Sequence, residues 1–420
     1  MTKGQPERLV EALPVLLSVA IVFSLFNGTR AKDWRKKRTP DCVVSEFYHY
    51  LCNGIEMMNI RSVINAIEEF APRTLQESYD NSGLQAGDVA NDCKGALLTL
   101  DVTERTIKEA EECGFNLIIS HHPLLFKGIK SLTPTTATGK ILTEAIRKDI
   151  AIYSAHTSLD NARYGVSCRM AEKLGLCDIQ VLRPQTGTMA KIVVFVPGSH
   201  TDAIKTAMSN AGAGHIGDYD SCAYQMAGTG SYRPLEGAKP YAGTVGKLHH
   251  EPEMRIEMIA RSSQTADIID AMLKAHPYEE PAFDIITLAN ANRYAGSGAI
   301  GKITPTDAES LLKKLKTTFG CPCVRYCGNK SATIRRIALC GGSGAFLIGD
   351  AIAAGADIYI SGDIKYHDFT EAAGKIIVAD IGHYESEQCA KEIIRDILTK
   401  RFPTLPVAFA KNDENTINYI

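Results

Sequence analysis

Between residues 59 and 182, short apolar runs alternate with amphipathic stretches, and this alternation limits the fold more than any other feature of the chain. Ala96–Leu100 (ALLTL) reads as a strand ending at Asp101. A helix follows, with Thr103 as its N-cap and charged residues through Glu112. Asn116–Ser120 (NLIIS) is the next strand, Gly139–Lys148 the next helix, and Ile150–Ala155 (IAIYSA) a third strand. Strands joined through helices pair in parallel and are buried on both faces, so a mostly parallel, helix-covered sheet is expected. After Gly301 the rhythm returns. Ile334–Cys340, Asp357–Ser361 and Ile376–Asp380 read as strands, GGSG leads into a helix through Ala354, Asp368–Ala373 is helical, and a long helix runs from His383 to Lys400.

The stretch from about Gln185 to Asn292 has a different texture. Lys191–Val196, Arg255–Ala260 and Phe283–Leu288 read as strands and Thr201–Asn210 and Ala266–Ala275 as helices, around a Gly-rich, turn-rich stretch at Gly212–Gly246. Strand–helix–strand given twice is the pattern of a ferredoxin-like module. The expected fold is α/β. Two βα-rich halves, 58–184 and 301–420, form one domain, interrupted at 185–300 by an inserted α+β ferredoxin-like module.

At 420 residues the chain exceeds one ordinary core, and 45% apolar with 22% charged residues describes a globular protein. A net charge of -2 leaves no basic face to neutralise phosphates, which argues against nucleic acid as a partner. The 12 cysteines have no framework spacing and read as reduced thiols of a cytoplasmic protein. Cys321, Cys323 and Cys327 cluster, but without a second pair at finger-like spacing. Leu13–Phe26 is an apolar run too short for an ordinary membrane span of about 20 residues. It reads as part of an extension over 1–57, with a leader peptide as the alternative, and a coherent domain starts at Met57 or Met58. No membrane partner is expected.

Several polar residues stand where strands end, the edge at which open α/β sheets bind ligands. His121 and His122 follow the strand NLIIS. Either the pair ligates metal or it is two satisfied polar residues in a loop. His383 and Glu387 are spaced i, i+4 and share a helix face, as metal ligands or as an N-terminal turn rich in acids. Asp160 follows IAIYSA, as a carboxylate ligand or as a turn residue before Asn161, and His156 precedes it as a ligand or a partner orienting one. Asp363 and His367 follow another strand end. Gly341–Gly344 forms a tight turn or a phosphate cradle. In the module, His249 and His250 read as a polar, solvent-exposed turn, and His276 with Glu279 as a ligand or regulatory site.

With those residues in hand, the chain resembles the NIF-three-like dinuclear metal-centre family, also labelled GTP cyclohydrolase 1 type 2 homologues. The resemblance is carried by ESYDNSGLQAGD (77–88), IISHHPLLFKGIKSL (118–132), AHTSLDNA (155–162), ISGDIKYHDFTEA (360–372) and DIGHYESE (380–387). GAGHIGDYDSCAYQ (212–225) and HPYEEPAFDI (276–285) resemble the longer members with an inserted regulatory-like module. The resemblance spans residues 58–420. It implies a metal-binding domain with His121, His122, Asp160, His383 and Glu387 as ligands of two divalent ions (zinc, iron or manganese), and Asp160 and Glu387 as the bridging carboxylates. It also implies a homohexamer and a module similar to trimeric signalling and copper-tolerance proteins. The implied function is metal-dependent hydrolysis of a small molecule, a purine nucleotide being one candidate, with His156 or His367 moving protons. The alternative is a non-catalytic metal-dependent regulator or metal-handling protein whose module senses a ligand.

Overall fold

The computed structural model describes residues 58–420, so the expectations for residues 1–57, the apolar run Leu13–Phe26 included, lie outside the described residues. Helix α1 (Ile60–Phe70) opens the described chain. Asn59 caps it by accepting from the Ser62 amide at 2.9 Å, and Ile60, Val63, Ile64 and Ile67 form its buried stripe. Next come β1 (Gly83–Ala86), β2 (Ala96–Thr99), α2 (Glu104–Glu112), β3 (Leu117–Ser120), α3 (Ala137–Arg147), β4 (Ala151–Ser154), α4 (Thr157–Asp160) and α5 (Val166–Leu174). Thr103 caps α2 with a reciprocal box to Thr106, as its position before the charged run predicts.

A middle group follows: β5 (Cys177–Gln185), β6 (Met189–Pro197), α6 (Thr201–Asn210), β7 (Ala223–Tyr232), β8 (His249–Arg261), α7 (Thr265–Ala275), β9 (Phe283–Leu288) and β10 (Asn292–Asp307). The chain then forms α8 (Ala308–Phe319), β11 (Arg325–Cys327), β12 (Thr333–Ser343), α9 (Ile348–Ala353), β13 (Ile358–Gly362) and α10 (Tyr366–Ala372). It ends with β14 (Ile377–Asp380), α11 (His383–Glu387), α12 (Cys389–Arg401) and β15 (Val407–Phe409).

Three sheets result. The first has the order β1-β4-β3-β2-β15, with β4, β3, β2 and β15 parallel and β1 antiparallel at the edge. β2, β3 and β4 are buried at every position, and Leu97, Ile118 and Ile152 pack against Ile107 and Ile141 of the covering helices. β15 brings the far end of the chain back onto β2, so the first half is completed by the last strand. The second sheet runs β11-β14-β13-β12-β10-β5, with β12, β13 and β14 parallel over a core of Ala338, Tyr359, Val378 and Leu347.

The third sheet, β7-β8-β6-β9, is wholly antiparallel, and its strands lie within 189–288. Its helices α6 and α7 bury Ile204, Met208, Ile268 and Met272 against Ile192, Val194, Ile256 and Met258. The strands that flank it, β5 and β10, pair with each other in the second sheet.

Several features differ from the sequence expectation. β7 forms inside the stretch that the sequence predicts as turn-rich, since AYQMAGTGSY is almost wholly exposed and shows no apolar alternation. The helix after GGSG is shorter, a 3-10 turn over Ala345–Leu347 and then α9. The long helix expected from His383 is two helices that break at Gln388. Among the described residues, no helix is long and apolar enough to cross a membrane.

Candidate metal centre

β3 lies between β2 and β4, and its C-terminal end delivers the two histidines under backbone control. The His121 amide donates to Thr99 O at 3.1 Å and the His122 amide to Leu100 O at 2.9 Å, extending the ladder past the strand. Past the strand the two rings come close, their centroids 5.2 Å apart at 48°, and both face the same side. β4 feeds α4, which presents Asp160. β14 of the second sheet feeds α11, which presents His383 and Glu387 one turn apart. The site therefore forms where strand ends of two sheets meet. His121 is fully buried and Glu387 is 3% exposed.

Glu387 stands at the centre. Its Oε1 lies 3.6 Å from His121 Nε2, while its Oε2 lies 2.8 Å from His122 Nε2 and 3.0 Å from His383 Nε2. Asp160 Oδ1 lies 3.5 Å from His121 Nε2 and joins that side. Ligand atoms of His121, His122 and Glu387 lie within 4.8 Å of one another, a group able to hold a metal ion.

Each imidazole is aimed from behind. His121 Nδ1 donates to Ala155 O at 2.9 Å, His122 Nδ1 meets Asp101 Oδ1 at 2.9 Å, and His383 Nδ1 meets Asp363 Oδ2 at 2.8 Å. All three rings thereby turn Nε2 toward the centre, the orientation in which histidines ligate metals. With the His121 proton on Nδ1, its Nε2 is a bare lone pair, 3.5 Å from Asp160 Oδ1. Both atoms are buried without a hydrogen-bond partner. Each such atom costs about 1–3 kcal/mol, and a cation would satisfy both. Imidazole nitrogens with carboxylate oxygens are a donor set for divalent transition metals. On both counts the residues fit a metal.

Electrostatics follow the same geometry. Burial opposes ionisation of Glu387, but the surrounding imidazoles outweigh it and hold the carboxyl well below its usual range. Burial also opposes charging of His122, but Asp101 and Glu387 push it up to about 10. His383 is half-buried, which opposes its charging, but Glu387 and Asp363 raise it to about 9. Burial pushes Asp160 up to about 7, with the Glu387 charge adding to it against His121. Protonated His122 and His383 thus stand between Glu387 and the flanking carboxylates Asp101 and Asp363.

Gly342, near the end of β12 where its register shifts, makes room for Glu387. It has a φ of +62°, and a Cβ there would lie 2.0 Å from Glu387 Oε1. Its amide donates to Ser386 Oγ at 2.9 Å. The GGSG stretch is thus packed against the Glu387 side chain.

The adjoining cavity, about 490 Å³, is lined by His122, His156, Asp160, His383 and Glu387 and flanked by Tyr79, Phe126 and Phe346. His156 Nδ1 bonds Asp80 Oδ1 at 2.7 Å, and Asp80 also accepts from the Thr157 amide at 3.0 Å and Ser82 Oγ at 2.8 Å. His367 is exposed on α10 and does not line this cavity, although Asp363, four residues earlier, holds His383. Sequence reasoning gave no role to Asp80 or to the His122 partner Asp101. The available signal for Asp101 was an acidic residue closing an apolar strand.

The remaining candidates lie elsewhere. Cys321 is buried, Cys323 exposed and Cys327 intermediate, all as free thiols. His249 and His250 begin β8, bonding Glu251 at 2.8 Å and Ser231 at 2.7 Å. His276 is buried, with Nε2 donating to Phe195 O at 3.0 Å and Nδ1 accepting from the Tyr278 amide at 3.1 Å.

Fold and site together define an α/β protein with a histidine–carboxylate centre of metal-ligating type, set where the strand ends of two sheets meet. The family model described as Duf34/NIF3 (NGG1p interacting factor 3) matches residues 58–416, and the chain belongs to that family. It is 39% identical over 349 residues to a Halalkalibacterium halodurans protein named GTP cyclohydrolase 1 type 2 homolog, covering 82% of this chain and 94% of that one. A Bacillus subtilis protein of the same name is 36% identical over 354 residues, covering 83% and 93%. The crystal structure of a Bacillus cereus protein related to NIF3 superposes with a TM-score of 0.75 at 33% identity, covering 87% of this chain and all of that one.

Proposed function

We propose that the protein is a metal-dependent hydrolase holding two divalent cations, shared through Glu387. The observation that carries this reading is the division of the Glu387 oxygens, Oε1 toward His121 and Oε2 toward His122 and His383. His121 and Asp160 would complete one position, His122 and His383 the other. Of the two carboxylates expected as bridges, Glu387 alone faces both positions, since Asp160 faces His121. The ligands suit zinc, iron or manganese. Such cations supply Lewis-acid polarisation and water activation at neutral pH.

The chain's own residues do the rest. His156, oriented by Asp80, lines the cavity and is assigned proton transfer, in preference to the exposed His367. Tyr79, Phe126 and Phe346, exposed at the rim, suit a planar ring, and the names of the relatives make a purine nucleotide the first substrate to test. The reading includes a cytoplasmic homohexamer, as the resemblance to the family implies.

Elemental analysis of wild type and of His121→Ala/His383→Ala tests the metal, and turnover of GTP and a phosphoester panel by metal-reconstituted protein tests the reaction. A wild type without metal would refute the centre. Metal-loaded protein without turnover would favour a second reading, a metal-dependent regulator, which a cavity of about 1110 Å³ in the module supports.

Two expectations arise here. Asp101→Asn removes the carboxylate behind His122, and metal affinity should fall roughly 10–100-fold in a competitive-chelator titration, with the fold unchanged. An unchanged affinity would mean that Asp101 does not orient the ligand. The second concerns pH. His122 and His383 are raised above the ordinary histidine value, so their contribution to metal-free stability is full below about 6.5. It is lost as pH rises through about 9 and about 10. A cation must displace those protons, so affinity should climb between pH 6.5 and 8.5 by about tenfold per unit for each proton released. Calorimetry in buffers of different ionisation enthalpy would read the released protons directly.

A further inference from the structure

We propose that the inserted module carries a second binding site, specific for an organic ammonium ion, in the cavity between the end of β7 and the loop that follows α7. The site stands independently of the metal centre. The cavity, about 1110 Å³, is lined by the rings of Tyr232, Tyr241 and Tyr278 and by the Glu253 carboxylate. The ring centroids of Tyr232 and Tyr278 are 5.9 Å apart at 62°, and those of Tyr241 and Tyr278 are 6.0 Å apart at 47°. Rings set at such angles do not stack as one layer, and all three border the cavity.

Two of the three hydroxyls are already committed. Tyr278 donates to Glu253 Oε1 at 2.8 Å, and Tyr232 donates to Ala242 O at 3.1 Å, holding the loop that carries Tyr241. What those two rings leave for a ligand is their π surface, beside the second oxygen of Glu253. That oxygen has its place because residue 230 is glycine, where a Cβ would lie 2.2 Å from it.

The frame is fixed. His276, buried beneath the loop, is bonded at both ring nitrogens, and the Lys239 amide donates to Glu279 at 2.7 Å, joining the two loops that wall the cavity. The charge balance favours a cation. Three carboxylates line the cavity against two guanidiniums, and Arg255 is committed to Glu257 at 2.8 Å. Aromatic faces around a carboxylate bind alkylated ammonium groups through the ring quadrupole, where a strongly hydrated inorganic cation or an anion gains little.

Calorimetric titration of the full-length protein with choline, and with its uncharged tert-butyl analogue, tests the site. Choline should bind and the analogue should bind about tenfold more weakly or not at all. Glu253→Gln and the exposed-ring variant Tyr241→Ala should each weaken choline about tenfold, whereas Tyr278→Phe, which keeps the ring and frees Glu253, should retain binding. Metal content and circular dichroism of each variant, unchanged from wild type, establish that the fold is intact. Equal binding of choline and its analogue, no binding of choline, or binding indifferent to Glu253→Gln and Tyr241→Ala would overturn the proposal.

Discussion

Glu387→Gln is expected to strip the centre of metal while leaving the secondary structure in place. The side chain keeps its size, but one oxygen becomes an amide that cannot ligate beside His122 and His383 or His121. Because both proposed positions share this residue, affinity should fall by roughly 100-fold or more at both together, where Asp160→Asn should weaken the His121 position selectively. The metal-free protein responds too. Glu387 is the buried counter-charge of the partly exposed His122 and His383, so its loss destabilises by less than the roughly 3–5 kcal/mol of a fully buried pair. That loss should be present at pH 7 and shrink as pH passes about 9, since the histidines then lose their protons in the wild type as well. Metal content by mass spectrometry and chelator-treated denaturation curves at two pH values read both effects. A Gln variant with the wild-type metal complement would sink the central role of Glu387.

Gly342→Ala is expected to be nearly as damaging although the residue bears no side chain. An alanine at φ +62° is strained by about 1–2 kcal/mol, and its methyl would collide with Glu387 Oε1 at 2.0 Å. Either β12 shifts at its end or the carboxylate leaves its position, so both stability and metal affinity should drop. Gly355→Ala separates the two causes, because Gly355 has a φ of +70° with nothing within 4 Å of the added methyl. It should lose stability by a similar strain and keep its metal. Equal metal content in both variants would show that Gly342 matters only for its backbone conformation.

Much of the fold was legible because its strands are buried on both faces. ALLTL, NLIIS and IAIYSA stand out as apolar runs, and their C-terminal ends, where His121, His122 and Asp160 follow, are where a parallel sheet presents ligands. β7 was not legible because an exposed strand with a run of small residues, Ala227 to Ser231, carries no period. β5 and β10 were missed for a related reason: β5 mixes exposed and buried positions without strict alternation, and β10 is broken by glycines and register shifts.

At the site, the residue types and their place at strand ends were readable one pair at a time, and the resemblance joined them. The tertiary structure decided which atoms face which. His122 and Glu387 are 265 residues apart and meet at 2.8 Å only because β3 and β14 end at the same place in neighbouring sheets. Asp101, Asp363 and Asp80 take their roles behind His122, His383 and His156 from that packing, and His367 is excluded by it. Local periodicity records what a segment buries, so the sequence by itself determined the elements and the chemistry offered at their ends. The direction of each imidazole, and the sharing of Glu387 between two sides, depend on long-range contacts that no local pattern encodes.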